Sequence, residues 1–219
     1  MYKLDNNAQT IFYEYKKYGA LQGYREVILS LDKTSKDHLL RNLREIFSRD
    51  WGPESTPKNY PRVLDSTNML IPDITLMQNL RFFLELKKIQ LSQINSDINI
   101  IDTFKSQIYF KRGEVDESEW QSFALILYIL ISESSYFISM PIGVALSGRI
   151  KDKILYAINE LRKSSPIFFY ANPPAIDSYK GLSENFRILE NNKISSLLSY
   201  DEARECIIQH NNKINNATN

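Results

Sequence analysis

An unbroken apolar run from Phe123 to Ile131 constrains this chain more than any other feature. It follows Asp116-Glu117-Ser118-Glu119, where an acid stands at a cap position and a glutamate comes three residues later, the pattern that opens a helix. A helix that is apolar on every side must be buried, in the core or in a subunit interface. The run falls well short of the roughly 18 residues that suggest a membrane span. Other elements therefore have to be packed around it. A chain of 219 residues with a 43% apolar fraction is enough for one compact domain of that kind.

The surrounding periodicities suggest what those elements are. Residues 8–50 read as helical. Ile11, Phe12, Tyr15 and Tyr18 share one face, Tyr24, Val27, Ile28 and Leu31 have the same spacing, and Leu39, Leu40, Leu43, Ile46 and Phe47 repeat it. Residues 51–68, with Pro53, Pro57 and Pro61, read as a long loop. Met69 to Leu76 and Arg81 to Ile89 read as two strands joined by a turn at Gln78-Asn79, and Ser106 to Lys111 as a third strand ended by Gly113. After the buried helix, Glu119 to Ser132, come a strand at 136–142, a helix at 147–163, a strand at 167–170 and a second long loop at 172–185. A last helix, 200–210, leads into an Asn-rich tail expected to fray. The expected class is α/β, a single domain over 1–219 with a central mixed sheet flanked by helices. Within it, 1–50 is a helical segment, 69–112 carries the strands of a site, and 113–219 supplies helices, strands and contacting loops.

Composition narrows the chemistry. Cys206 is the only cysteine, so neither an intramolecular disulfide nor a cysteine metal cluster is available. His38 and His210 are the only histidines, which disfavours chemistry that needs a histidine cluster. A formal net charge of +1 argues against a general polyanion binder but leaves room for a local basic face. The first residues lack the apolar core of a signal peptide, which sets the expectation of a soluble, cytoplasmic protein.

One stretch suggests catalysis: Ile71-Pro72-Asp73, eleven residues, then Glu85-Leu86-Lys87. If 81–89 is a strand, Glu85 and Lys87 project to the same side, and a hairpin through Gln78-Asn79 lays Asp73 alongside Glu85. Two carboxylates meeting there would suit Mg²⁺, and a lysine beside them would suit activation of water for phosphodiester hydrolysis.

On those residues the chain resembles the PD-(D/E)XK nuclease superfamily and, within it, the type II restriction endonucleases. The resemblance implies a restriction-endonuclease-like fold. It implies Asp73 and Glu85 as metal ligands, Lys87 as the third catalytic residue, and Mg²⁺ as cofactor. It further implies double-stranded DNA as substrate and a homodimer that cuts both strands. Glu45 and Glu26 are candidates for an additional helix acid. Lys87-Lys88, Lys111-Arg112, Arg149-Lys151-Lys153 and Arg162-Lys163 could position phosphates. The alternatives are another nuclease of the same superfamily, or a non-catalytic interaction protein in which Glu85 and Lys87 are structural.

Overall fold

A computed structural model describes residues 23–49, 62–65, 70–131, 136–139, 148–161 and 166–217. In chain order these form β1 (Arg25–Ser30), α1 (Lys33–Arg49), β2 (Arg62–Asp65), α2 (Leu76–Lys87), α3 (Leu91–Asp97), α4 (Ile100–Phe104), a 3₁₀ turn (Lys105–Tyr109) and α5 (Glu117–Ile131). Then follow β3 (Tyr136–Ser139), α6 (Gly148–Tyr156) continuing as a π-helical turn (Ala157–Leu161), β4 (Ile167–Ala171), a 3₁₀ segment (Pro173–Tyr179), β5 (Asn185–Glu190), β6 (Lys193–Ile194) and α7 (Tyr200–Ala217).

The chain divides into two compact units. The first is drawn from Met1–Val63, Ser134–Pro141 and Ser164–Asn219, the second from Leu64–Glu133 and Ile142–Lys163. Among the described residues one six-stranded sheet has the order β2-β3-β4-β1-β5-β6. β1 runs parallel to both β4 and β5, and β3 runs parallel to β4. β6 folds back antiparallel on β5, so the sheet is mixed. In the first unit α1 packs on β1 and β5, and α7 packs on β5. The expected α/β class, a mixed sheet flanked by helices, is what the chain adopts.

β1 corrects the reading of residues 8–50 as helical throughout. Val27, Ile28 and Leu29 are fully buried at the centre of the sheet. A parallel strand covered on both faces is apolar at successive positions and loses the alternation that marks a half-exposed strand. Its short apolar run therefore fits a helical period as well as a strand.

The hairpin expected over 69–89 does not form either. Its second half is α2, with Leu76, Asn79, Leu80 and Leu84 buried at helical spacing. Thr75 caps it in a reciprocal box with Gln78, and Lys88, left-handed at φ 56°, ends it. Leu, Met, Gln, Arg, Glu and Lys, which fill most of α2, are all good helix formers, and that outweighs the strand preference of Phe82 and Phe83. The expected third strand at 106–111 is a 3₁₀ turn over Lys105–Tyr109 instead.

Other expectations correspond to observed elements. The apolar helix is α5, and Trp120, Phe123, Leu125, Ile126, Leu127 and Ile129 are buried along it. Within the second unit Phe83 of α2 meets Tyr128 of α5 at 5.4 Å between ring centroids, and Phe104 meets Phe123 at 5.0 Å. α7 remains helical to Ala217, beyond the point where fraying was expected. Among the described residues no helix is long and apolar enough to cross a membrane. The segments 8–22, 51–61 and 66–69, and the basic pair Arg162-Lys163, lie outside the described residues.

Candidate functional site

Asp73, Glu85 and Lys87 are not brought together. Asp73 is exposed in the loop that precedes α2. Asn79 pins that loop: its Oδ1 accepts the Ile71 N–H at 2.8 Å, and its Nδ2 donates to the carbonyls of Ile71 and Thr75 at 3.0 and 3.1 Å. From Leu76 to Glu85 is nine residues, roughly 14 Å along the helix axis at 1.5 Å per residue. Two helical residues turn through about 200°, so Glu85 and Lys87 leave α2 on nearly opposite sides rather than on one face. All three side chains face solvent. Among the described residues no cluster of three or more His, Cys, Asp or Glu could hold a metal ion. The geometry expected for Mg²⁺ rested on the hairpin and is absent with it.

Of the two additional acids considered, the Glu45 side chain lies outside the described residues. Glu26 is not a solvated helix residue. It sits on β1 at 1% exposure, where its Oε1 accepts from Arg187 Nε at 3.0 Å and its Oε2 from the Tyr24 hydroxyl at 2.6 Å. Arg187 also donates to the Ser195 carbonyl at 2.9 Å. A buried charge pair held by that many bonds fixes β5 against β1 and has no access to a substrate.

Among the described residues a polar cluster lies at the carboxyl ends of β1 and β4, the place where open α/β sheets hold ligands. A cavity of about 390 Å³ opens there, lined by Ser30, Asp32, Lys33, Lys36, Asp37 and Asn172 among others. β1 ends at Ser30, the chain turns through Leu31 and Asp32, and α1 starts at Lys33. Ser30 Oγ donates to the Asp32 carbonyl at 2.7 Å, which closes the turn.

The start of a helix presents unpaired N–H groups and the positive end of its dipole, so it attracts an anion. Here the chain supplies that anion itself. Asp32 Oδ1 accepts the Ser35 N–H at 2.7 Å, the geometry of an N-cap. Its Oδ2 accepts the Asn191 N–H at 3.0 Å, from the turn between β5 and β6. Burial alone would raise the Asp32 carboxyl. The hydrogen bonds from Ser35 and Asn191, helped by the positive charge of His210, hold it below the ordinary carboxylate range.

That turn is built for the contact. Asn191 and Asn192 have φ of 50° and 56°, the left-handed pair of a two-residue hairpin turn, which asparagine tolerates better than most residues. The Asn192 N–H donates to Ser35 Oγ at 2.7 Å, and His38 Nδ1 lies 3.3 Å from Asn192 Oδ1. Across the cavity mouth Lys36 Nζ stands over the ring of Tyr170 on β4, 5.5 Å from its centroid.

The sequence holds a signal for this site that the hydrophobic pattern hid. Phosphate-binding loops run strand, G-x-x-x-x-G-K-[ST], helix, the glycines letting backbone N–H groups wrap the phosphates. Aligned on Lys36, residues 30–37, Ser-Leu-Asp-Lys-Thr-Ser-Lys-Asp, span the junction of β1 and α1, although α1 already begins at Lys33. Ser30 and Ser35 stand at the glycine positions, Lys36 at the lysine, and Asp37 at the hydroxyl position. Only the lysine matches, so a search for the motif passes over it, and the strand before it had been read as helix.

No protein-family profile matches the chain, and no curated protein sequence matches it. Solved structures do. One described as "Structure of ATP binding subunit of ABC transporter" superposes with a TM-score of 0.65 at 15% identity, over 85% of this chain and 82% of that one. At that identity the likeness concerns the fold. It corrects the resemblance to the PD-(D/E)XK nucleases: the fold is similar to that of a structure so described, and the restriction-endonuclease reading of the chain falls with it. Double-stranded DNA as substrate and a homodimer built to cut it had no other support.

Proposed function

We propose that this chain is a non-hydrolysing counterpart of a transporter's ATP-binding subunit, one that serves its assembly through its fold rather than by turning over nucleotide. The observation that carries the reading is the register of residues 30–37 between β1 and α1. Without glycines the helix begins at Lys33, and the stretch that would wrap the phosphates is already wound into its first turn.

Hydrolysis in this class of site also needs a hydroxyl and an acid to hold Mg²⁺ beside the phosphates. Asp37 stands where the hydroxyl would be. Of the described strands near β1, β4 and β3 end in Ala171 and Ser139, whereas β5 ends in Glu190, which is paired with His210, and β2 ends in Asp65. Asp32 and Asp37 set two carboxylates beside Lys33 and Lys36 in the cavity lining, so it offers a polyanion no net positive charge. The residues present do not fit a magnesium–triphosphate group.

The test is a phosphate-release assay of the purified chain with MgATP. Release at the protein-free baseline, unchanged by Lys36→Ala, is the expected result. Saturable turnover that Lys36→Ala abolishes would overturn the proposal.

A further inference from the structure

His38 and His210 are the only histidines of the chain, and both meet the hairpin that joins β5 to β6. His38, from α1, brings Nδ1 to 3.3 Å from Asn192 Oδ1. His210, from α7, pairs through Nδ1 with Oε1 of Glu190, the last residue of β5, at 2.9 Å. The place of His210 in α7 is the informative one. Ala203 and Ile207 are buried, and His210 continues their stripe at helical spacing as its last partly buried position. Residues 211–216 are all exposed. Since α7 packs on β5, a titratable ring stands where an apolar residue would ordinarily close the contact.

The charges around that ring have both signs. β5 offers Glu190, and the turn between β1 and α1 offers Asp32, whose carboxyl feels the positive charge of His210. On β6, Lys193 lies opposite Glu190 in the antiparallel register and competes for it. Lys213 stands one turn further along α7, a like charge. The acid at 2.9 Å outweighs both lysines by distance, so a protonated ring is held more firmly than a neutral one. A neutral imidazole can still donate from Nδ1, but without the charge that roughly doubles the strength of the bond. We propose that His210 is a pH-sensitive fastener: its imidazolium holds α7 and the β5–β6 turn together, and loss of its proton loosens both. The same turn reaches Asp32 through the Asn191 N–H at 3.0 Å, which carries the effect to the rim of the cavity. This behaviour does not depend on whether the chain turns over nucleotide.

Histidine is the side chain that changes charge between about pH 5 and 8. The fastening is therefore present at the acid end of that range and lost as pH rises through it. The test is amide hydrogen exchange of the whole chain across the same range, read by NMR as protection factors so that the intrinsic pH dependence of exchange is removed. Protection at Asn191, Asn211, Asn212 and Lys213 should fall about two- to fivefold from the acid to the alkaline end, the scale of a partly exposed ion pair. The midpoint of that fall should match the titration of the His210 ring, followed in the same samples.

Two variants separate the fastener from an ordinary helix contact. His210→Gln keeps a hydrogen-bond donor but cannot take up a charge, and it should flatten the profile. His38→Gln alters the other ring at the same turn and should leave the profile as in the wild type. With two histidines in the chain, the same pair of variants assigns the ring signals. A flat wild-type profile would overturn the proposal, and so would a midpoint that departs from the titration of the His210 ring. Both of those readings need no variant, so they stand even if a substitution impairs folding. A profile that persists in His210→Gln, or that His38→Gln abolishes, would overturn it as well.

Discussion

Single carboxylates decide much of this molecule, and their surroundings give them opposite fates. Glu26 is sealed in the sheet with Arg187. Removing one partner of a buried pair strands the other charge, so Arg187→Leu should destabilise the protein by about 3–5 kcal/mol, read from urea unfolding. A loss below about 1 kcal/mol would mean that the pair is solvated after all. Asp32 instead works at the rim, and its signature is pH. Its carboxyl is held below the ordinary range by Ser35 and Asn191 against the opposing effect of burial. Such a group contributes stability above its unfolded value, about 3.9, and the contribution is lost as pH falls through its lower folded value. The gap in urea midpoint between wild type and Asp32→Asn should therefore be widest near pH 6 and shrink toward pH 2. A gap that does not change with pH would show that the charge of Asp32 does nothing for the fold.

Elements were legible where length and burial agreed, and ambiguous where a short apolar run fitted two periods. α5 could be read from the sequence because an apolar stretch with an acidic start is too long and too uniform to be anything but a buried helix. β1 could not, because Val27-Ile28-Leu29 in a doubly covered strand has no alternation to betray it. The error at α2 had a different cause. Phe82-Phe83-Leu84 favours a strand by residue type, and the expectation of a catalytic hairpin then gave Glu85 and Lys87 a shared face that a helix denies them. The capping box was present in the sequence as Thr75 and Gln78, a Thr-x-x-Gln followed by an apolar helical face, and is the local signal that outranks the aromatic pair. If that cap fixes the start of α2, Thr75→Ala should cost about 1 kcal/mol in unfolding free energy. No measurable change would place the determinant elsewhere, in the bonds from Asn79 to the loop before the helix. The candidate site went unread for a related reason. It follows a strand that itself fitted a helical period, and serines at a strand end look like any turn.

At the scale of the whole molecule the likeness to a solved ATP-binding subunit concerns the fold. The strand preceding the candidate seat lies between two parallel neighbours, and the seat opens at their carboxyl ends. A fold can persist after its chemistry is gone, because burial of β1, β4 and β5 depends on apolar side chains and not on the residues of the turn. The central claim is that the turn between β1 and α1 does not fit a magnesium–triphosphate group, so that a triphosphate gains nothing by approaching it. The most direct test is to compare, by isothermal titration calorimetry, the affinity of the wild-type chain for MgATP with its affinity for adenosine. The account predicts that the two are equal within error, or that neither binds. MgATP binding at least tenfold tighter than adenosine, about 1.4 kcal/mol contributed by the phosphates, would contradict it.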